Sequence, residues 1–204
     1  GYNGYGQLGQ NDTSDRSNPT QIVFNPATYG RIVEIWATGG NYGQLYVLTD
    51  LGHLYACGYN GYGQLGNGNT TNQYTLVRVD SNNFGTLTGT NGRVKKFSIN
   101  GGSTHGTNGL MKGNNTVFTW GYNGYGGLGH NHTYNTYVPV QVRTGGYTGS
   151  SNPVSSAGNQ GTGAGTAITD AVDFWMLGGN SHMFMYMTRG TSITNNTLYS
   201  CGYN

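Results

Sequence analysis

The sequence predicts an all-β fold of about three repeated units, each made of four short antiparallel strands, on three observations. The stretch GYNGYGQLG opens the chain at Gly1 to Gly9 and recurs letter for letter at Gly58 to Gly66. It returns as GYNGYGGLG at Gly121 to Gly129 and starts again as GYN at Gly202 to Asn204. Between the copies, β-branched and aromatic residues alternate with polar ones over short runs, the period-two signature of strands bounded by turn residues. Nothing reads as a long amphipathic helix. A unit that recurs at this scale and carries four strands has the content of one propeller blade.

In order, the first repeat offers strands at Gln21 to Phe24, Ile32 to Ala37, Gln44 to Thr49 and His53 to Cys57. The second offers Thr75 to Val79, Val94 to Ile99, Gly109 to Lys112 and Thr116 to Trp120, and the third Val138 to Val142, Ala171 to Leu177, His182 to Thr188 and Thr197 to Cys201. The chain thus reads as one partial β-propeller over 1–204, with repeats 1–57, 58–120 and 121–201 and the start of another at 202–204. A stretch from about Thr144 to Thr169, built almost entirely of Gly, Ser, Thr, Asn and Ala, lacks the apolar surface for a core and is expected to be a flexible surface insertion. Because the chain opens inside one motif copy and stops inside another, it is expected to be a segment of a longer protein.

The motif loop has a structural reading residue by residue. Its glycines permit positive φ and close backbone approach. Asn3, Asn60 and Asn123 are expected to hydrogen-bond their own turn, and Leu8, Leu65 and Leu128 to plug the groove between blades. GYGQLG superficially fits a phosphate-cradling G-x-G-x-x-G, but that fingerprint needs a following helix and an acidic partner, and neither follows. Cys57 and Cys201 stand immediately before GYN in their copies, where Trp120 stands in the copy between. Equivalent positions two units apart are too distant for a disulfide, so both are expected to be free, packed thiols.

The succession of strand, aromatic or Cys, G-x-N-x-x-G-Q-L-G, polar loop and P-x-x-V resembles the repeats of the regulator of chromosome condensation family. Gln7-Leu8-Gly9 and Gln64-Leu65-Gly66 fit the core of that pattern. Pro19 to Ile22 and Pro139 to Val142 fit its second element, where the second repeat has Tyr74 to Val77. The glycine pairs Gly39-Gly40, Gly101-Gly102 and Gly178-Gly179 fit the upstream part. Family repeats often carry a histidine three residues after the pair, matched by His105 and His182 and not by Gly43. The resemblance implies a β-propeller, and it implies guanine-nucleotide exchange on a small GTPase as one function.

Composition weighs against that function. Charged residues make up only 8% of the chain, nine Lys and Arg against seven Asp and Glu, while Gly supplies 38 residues and Tyr 17. No basic stripe exists to displace counterions from nucleic acid, and no apolar run approaches membrane-helix length, so neither nucleic-acid binding nor membrane insertion is expected. The long insertion carries almost no charge with which to engage a GTPase. Such a composition points instead to a non-enzymatic structural and recognition module of a larger extracellular or virion surface protein, as in a tailed phage, that binds a protein or glycan. Exchange factor remains the alternative, and further blades or other subunits are expected partners.

No cofactor, metal or catalytic constellation is legible. His130 and His132 lie close enough to share a metal, but no Cys or carboxylate stands near to complete the site. His105 and His182 are expected to hydrogen-bond buried backbone. Asp12, Asp15, Asp170, Asp173 and Glu34 are the nearest things to catalytic carboxylates, and none pairs with a histidine at equivalent places in two repeats. Five N-x-[ST] triplets, at Asn11, Asn69, Asn114, Asn131 and Asn195, are about what chance supplies. What repeats with chemistry attached are paired tyrosines: Tyr2 and Tyr5, Tyr59 and Tyr62, Tyr122 and Tyr125. They either pack blade on blade or form a contact face, since a phenol joins a large apolar body to a polar tip.

Overall fold

A computed structural model of the chain describes residues 1–79, 81, 84–100, 105–144, 165–177, 183–188 and 197–202. Helix is confined there to two single turns, α1 (Pro26–Tyr29) and α2 (Gly89–Gly92). Strands β1 (Ile32–Ala37), β2 (Gln44–Thr49), β3 (Leu54–Gly58) and β4 (Gln73–Arg78) form one antiparallel sheet in chain order. A second follows with β5 (Val94–Asn100), β6 (Thr107–Lys112), β7 (Val117–Gly121) and β8 (Thr136–Gln141). The third has three strands among the described residues: β9 (Ala171–Leu177), β10 (Met183–Thr188) and β11 (Thr197–Gly202). These are consecutive propeller blades. Among the described residues no helix is long and apolar enough to cross a membrane.

Strand existence and alternation follow the sequence; the grouping does not. Each sheet is cut one strand later than the sequence repeat, because the strand after each motif loop turns back to close the preceding blade. Gly58 lies opposite Gln73, and Gly121 opposite Thr136. Gln21 to Phe24 is therefore not a strand. It occupies the closing-strand place, and no sheet precedes it among the described residues to offer a partner, so Val23 is 93% exposed. The same register moves the P-x-x-V element of the second repeat to Leu76 through Val79, since the Val79 and Val142 N–H groups donate alike to Leu54 and Val117 carbonyls at 2.9 and 2.8 Å. Tyr74 to Val77 is the wrong frame by two residues.

The cores lie between blades. Tyr46, Leu48 and Leu54 of the first blade meet Leu110, Phe118 and Trp120 of the second, with Leu65 of the motif loop filling the junction. Met111 and Val117 of the second meet Phe174, Met176 and Phe184 of the third around Leu128. Leu65 and Leu128 are fully buried and Leu8 half-buried. Lys96 bridges the second and third blades, 2.6 Å from Asp173 and 4.6 Å above the Trp175 ring, a half-exposed pair whose net gain is screened by solvent. The insertion from 144 to 169 lies mostly outside the described residues, but its far end is packed: Ile168 is buried in the second junction.

Cys57 and Cys201 are free, the first buried and the second half-buried. Their equivalence to Trp120 holds in the ladder, where Cys57 faces Leu45, Trp120 faces Asn108 and Cys201 faces Phe184. Each lies beside the last motif glycine, with a β-carbon built on Gly9, Gly66 or Gly129 falling 3.4, 2.9 or 3.5 Å from Cys57 Sγ, Trp120 Nε1 or Cys201 Sγ. Burial pushes both thiols up, Cys57 to about 12 and Cys201 to about 11, so neither is a thiolate at neutral pH.

Candidate interaction face

The motif loop is a rigid platform because one asparagine staples it. Asn60 Oδ1 accepts from the Leu65 N–H at 2.8 Å, its Nδ2 donates to the Asn69 and Thr71 carbonyls at 3.0 Å, and its own N–H donates to Asn72 Oδ1 at 2.8 Å. Asn3 and Asn123 hold Leu8 and Leu128 in the same way, at 2.8 and 3.0 Å. All three are essentially fully buried. The Tyr62 N–H donates to Gln64 Oε1 and the Tyr5 N–H to Gln7 Oε1. The third copy has Gly127 at that place and no side chain to accept the bond. Asn60→Ala strands the buried Leu65 N–H and is expected to lower stability by about 2–3 kcal/mol. A urea midpoint that falls by less than about 0.5 kcal/mol equivalent would mean the glycine turns hold the loop unaided.

On this platform the tyrosines are laid out by the glycines. The second motif residue, Tyr2, Tyr59 or Tyr122, lies over the fourth, so that a β-carbon on Gly4, Gly61 or Gly124 would fall 2.1–2.3 Å from the phenol oxygen. Any side chain there would push the ring from this position. The fifth residue of one copy then reaches the second residue of the next. Tyr5 stands 5.0 Å from Tyr59, and Tyr62 stands 5.1 Å from Tyr122.

Each pair closes around a third ring. Tyr42 stacks on Tyr5 at 5.2 Å and meets Tyr59 edge-on at 4.9 Å. His105 lies 5.4 Å from Tyr62 and 4.2 Å from Tyr122. Tyr2 flanks Tyr5 at one end and Tyr125 flanks Tyr122 at the other, at 6.4 and 5.9 Å. The six tyrosines therefore fall into two four-ring clusters, Tyr2, Tyr5, Tyr42 and Tyr59 in one and Tyr62, His105, Tyr122 and Tyr125 in the other, which together make up an aromatic stripe. The outer two, Tyr2 and Tyr125, are 46% and 42% exposed; Tyr5, Tyr59, Tyr62 and Tyr122 are half-buried against their neighbours. The inner rings are thus packed against their neighbours while the outer two remain open to solvent.

Tyr42 and His105 are stripe members that the tyrosine repeat does not point to. The histidine of the glycine-pair element is matched by Tyr42, not left blank at Gly43, since Gly43 and Gly106 both accept from the following motif tyrosine N–H, at 3.1 and 3.0 Å. Their equal distance before Gly58 and Gly121 is the signal in the sequence that could have found them. His105 is a half-buried ring on this face rather than a fully buried one; His182 lies outside the described residues. Burial raises the Tyr5, Tyr59 and Tyr122 phenols above their ordinary value, helped by Tyr42 beside Tyr5 and Tyr125 beside Tyr122.

Among the described residues no three His, Cys, Asp or Glu side chains converge as a metal site would require. His130 and His132 are 5.5 Å apart, but His130 is buried with Nε2 2.9 Å from Thr119 Oγ1. Asp12 and Asp50 are held below the usual carboxylate range by a backbone N–H and by Arg16 in the first case, and by Arg31 in the second.

Residues 52–105 and 114–160 match the family model of the regulator of chromosome condensation (RCC1) repeat. The chain belongs to the RCC1-repeat family. This RCC1-repeat segment is 32% identical over 145 residues to the human X-linked retinitis pigmentosa GTPase regulator, a match covering 71% of the segment and 13% of that protein. It is 38% identical over 84 residues to the rat probable E3 ubiquitin-protein ligase HERC4, covering 41% of the segment and 8% of that protein. The segment thus spans a small fraction of the curated relatives it matches. The crystal structure of human WBSCR16 superposes over 91% of it, and over 38% of that chain, with a TM-score of 0.50 at 18% identity. That likeness shows the fold.

Proposed function

We propose that this RCC1-repeat segment is a non-enzymatic recognition module whose contact face is the tyrosine stripe, and that its partner is a protein. The observation that carries the reading is the layout of the rings. Eight aromatic side chains from three motif copies and two intervening turns gather in two four-ring clusters, with Tyr2 and Tyr125 open to solvent, over loops that asparagine and glycine hold in place. Preorganised tyrosines suit protein contact because they add area with little rotamer freedom to lose. The relative named a GTPase regulator is consistent with protein partners for such repeats. Display on a cell or particle surface is the location we favour, on the low charge and the Gly, Asn and Tyr content.

The test replaces Tyr2 and Tyr125 together by alanine. Both side chains are outer members of the stripe, so the melting temperature is expected to stay within about 2 °C, while capture of the partner seen with the parent chain, quantified by mass spectrometry, falls at least tenfold. Unchanged capture would remove the stripe as the contact face. Tyrosine-dependent retention on a glycan array would replace the protein reading with a glycan one. Accelerated release of fluorescent GDP from a small GTPase would restore the exchange-factor reading.

A further inference from the structure

The two ring clusters are built alike and differ in chemistry at one position. In the first, Tyr5 and Tyr42 lie nearly parallel, with 23° between their planes and 5.2 Å between their centroids, and Tyr59 meets them edge-on at 5.0 and 4.9 Å. In the second, Tyr62 and His105 hold the parallel places, 32° and 5.4 Å apart, and Tyr122 closes the group at 5.1 and 4.2 Å. The first parallel pair is two phenols. The second is a phenol and an imidazole.

The setting of the first pair favours a bond between its rings. Burial, and then a hydrogen bond with Tyr42, raise the Tyr5 phenol, so the two hydroxyls meet. The ring carbons ortho to the oxygens flank that meeting point, and they are where the unpaired electron of a phenoxyl radical concentrates. Tyr59 is turned 69° from Tyr5 and 67° from Tyr42, which sets its edge against their faces rather than ortho carbon beside ortho carbon. The backbones that carry the parallel pair are also tied together, because Gln7 Nε2 donates to the Asn41 carbonyl at 3.1 Å while Gln7 Oε1 accepts from the Tyr5 N–H at 3.0 Å. Both rings are half-buried, so each keeps an edge that a small oxidant reaches.

We infer that Tyr5 and Tyr42 form an oxidative cross-linking site, joined as dityrosine by a peroxide-driven one-electron oxidant such as a haem peroxidase turning over hydrogen peroxide. Each phenol gives up one electron and one proton. The two radicals join through a carbon–carbon bond ortho to their oxygens, and each ring's ortho hydrogen moves to its oxygen, which restores both phenols. The pair loses two hydrogen atoms in all, and one hydrogen peroxide becomes two waters. The new bond ties the first motif loop to the turn between β1 and β2 and closes the chain between residues 5 and 42. A covalent closure of this kind stabilises by restricting the unfolded chain. The second cluster cannot do the same, since an imidazole stands where the second phenol is needed. The bond requires only the geometry of the pair and stands whether or not the stripe is the contact face.

The test treats the whole 204-residue chain, in dilute solution, with a haem peroxidase and hydrogen peroxide, follows dityrosine fluorescence and maps tryptic peptides by mass spectrometry. A link between peptides 1–16 and 32–78, within one chain on gel electrophoresis and lighter by two hydrogens, is expected. The melting temperature is expected to rise by at least about 4 °C. Tyr42→His, which copies the second cluster into the first, is expected to lower the yield of that link at least tenfold, and Tyr59→Phe to leave it in place. Should Tyr42→His not fold, Tyr5→Phe carries the same expectation. His105→Tyr is expected to gain a link between peptides 32–78 and 97–112 that the parent chain lacks. Undiminished linking in the Tyr42→His chain would overturn the inference, as would links confined to dimers. A folded His105→Tyr chain that gains no link would overturn it equally, because the parallel setting would then not direct the coupling.

Discussion

Trp120→Ala is expected to destabilise the chain by about 3–5 kcal/mol, the range for removing a fully buried large aromatic. Trp120 is fully buried at the junction of the first two blades, its ring centroid 5.7 Å from Phe97 and 6.3 Å from Tyr46. Its Nε1–H also donates at 2.7 Å to the Gln64 carbonyl. That one oxygen accepts from Asn108 Nδ2 at 2.9 Å and from the Tyr46 hydroxyl as well. The cavity and the missing donor therefore add at a single point. Trp120→Phe retains most of the volume without the N–H and is expected to cost about 1–2 kcal/mol. If urea denaturation of the alanine variant shows a loss below about 1 kcal/mol, the junction is not organised around this ring.

Acidification is expected to weaken the fold through His130. Burial first, then the neighbouring His132, lowers its folded value to about 3, against a hydrogen bond with the Val140 backbone that pulls the other way. The ordinary value is about 6.5. Below it the unfolded chain binds a proton that the folded chain refuses, so this stabilisation is complete above pH 6.5 and declines as pH falls toward 3. One proton corresponds to about 1.4 kcal/mol per pH unit at most, or about 2–3 kcal/mol by pH 4.5. His132 and His53 are lowered by burial too and add slope of the same sign. His130→Gln should therefore flatten the pH dependence of the urea midpoint between 7.5 and 5 without abolishing it. A variant with the full parental slope would assign the acid sensitivity elsewhere.

How far the fold can be read from the residues depends on whether a residue's partner lies nearby in the chain. Asn3, Asn60 and Asn123 are legible as turn staples, because their acceptors and donors lie within the same loop. Strands β1, β2 and β9 begin and end where alternation places them. The assignment of strands to blades is not legible. Gln21 to Phe24 and Thr75 to Val79 have the same local pattern, and only the presence of a sheet beside the second makes it a strand. The six tyrosines are visible by repetition, but Tyr42 and His105 are not, because different residue types do one job there. Their equivalence appears only when Gly43 and Gly106 are seen to accept the same hydrogen bond.

The displacement of each sheet by one strand from its sequence repeat sets an order on synthesis. A chain leaving the ribosome from its N-terminus has made three strands of the first blade by Gly58, yet the fourth is not available until Arg78, after the second motif loop has been made. That loop's own seat, beside Trp120 in the second blade, does not yet exist. Every blade therefore waits open-edged for chain that is itself waiting for the next blade, and the first junction can set only when translation has passed about residue 121. Holding the emerged chain between residues 58 and 121 would prolong the life of an unsealed edge, whereas a pause after residue 141 has left the ribosome would fall when two blades can already close.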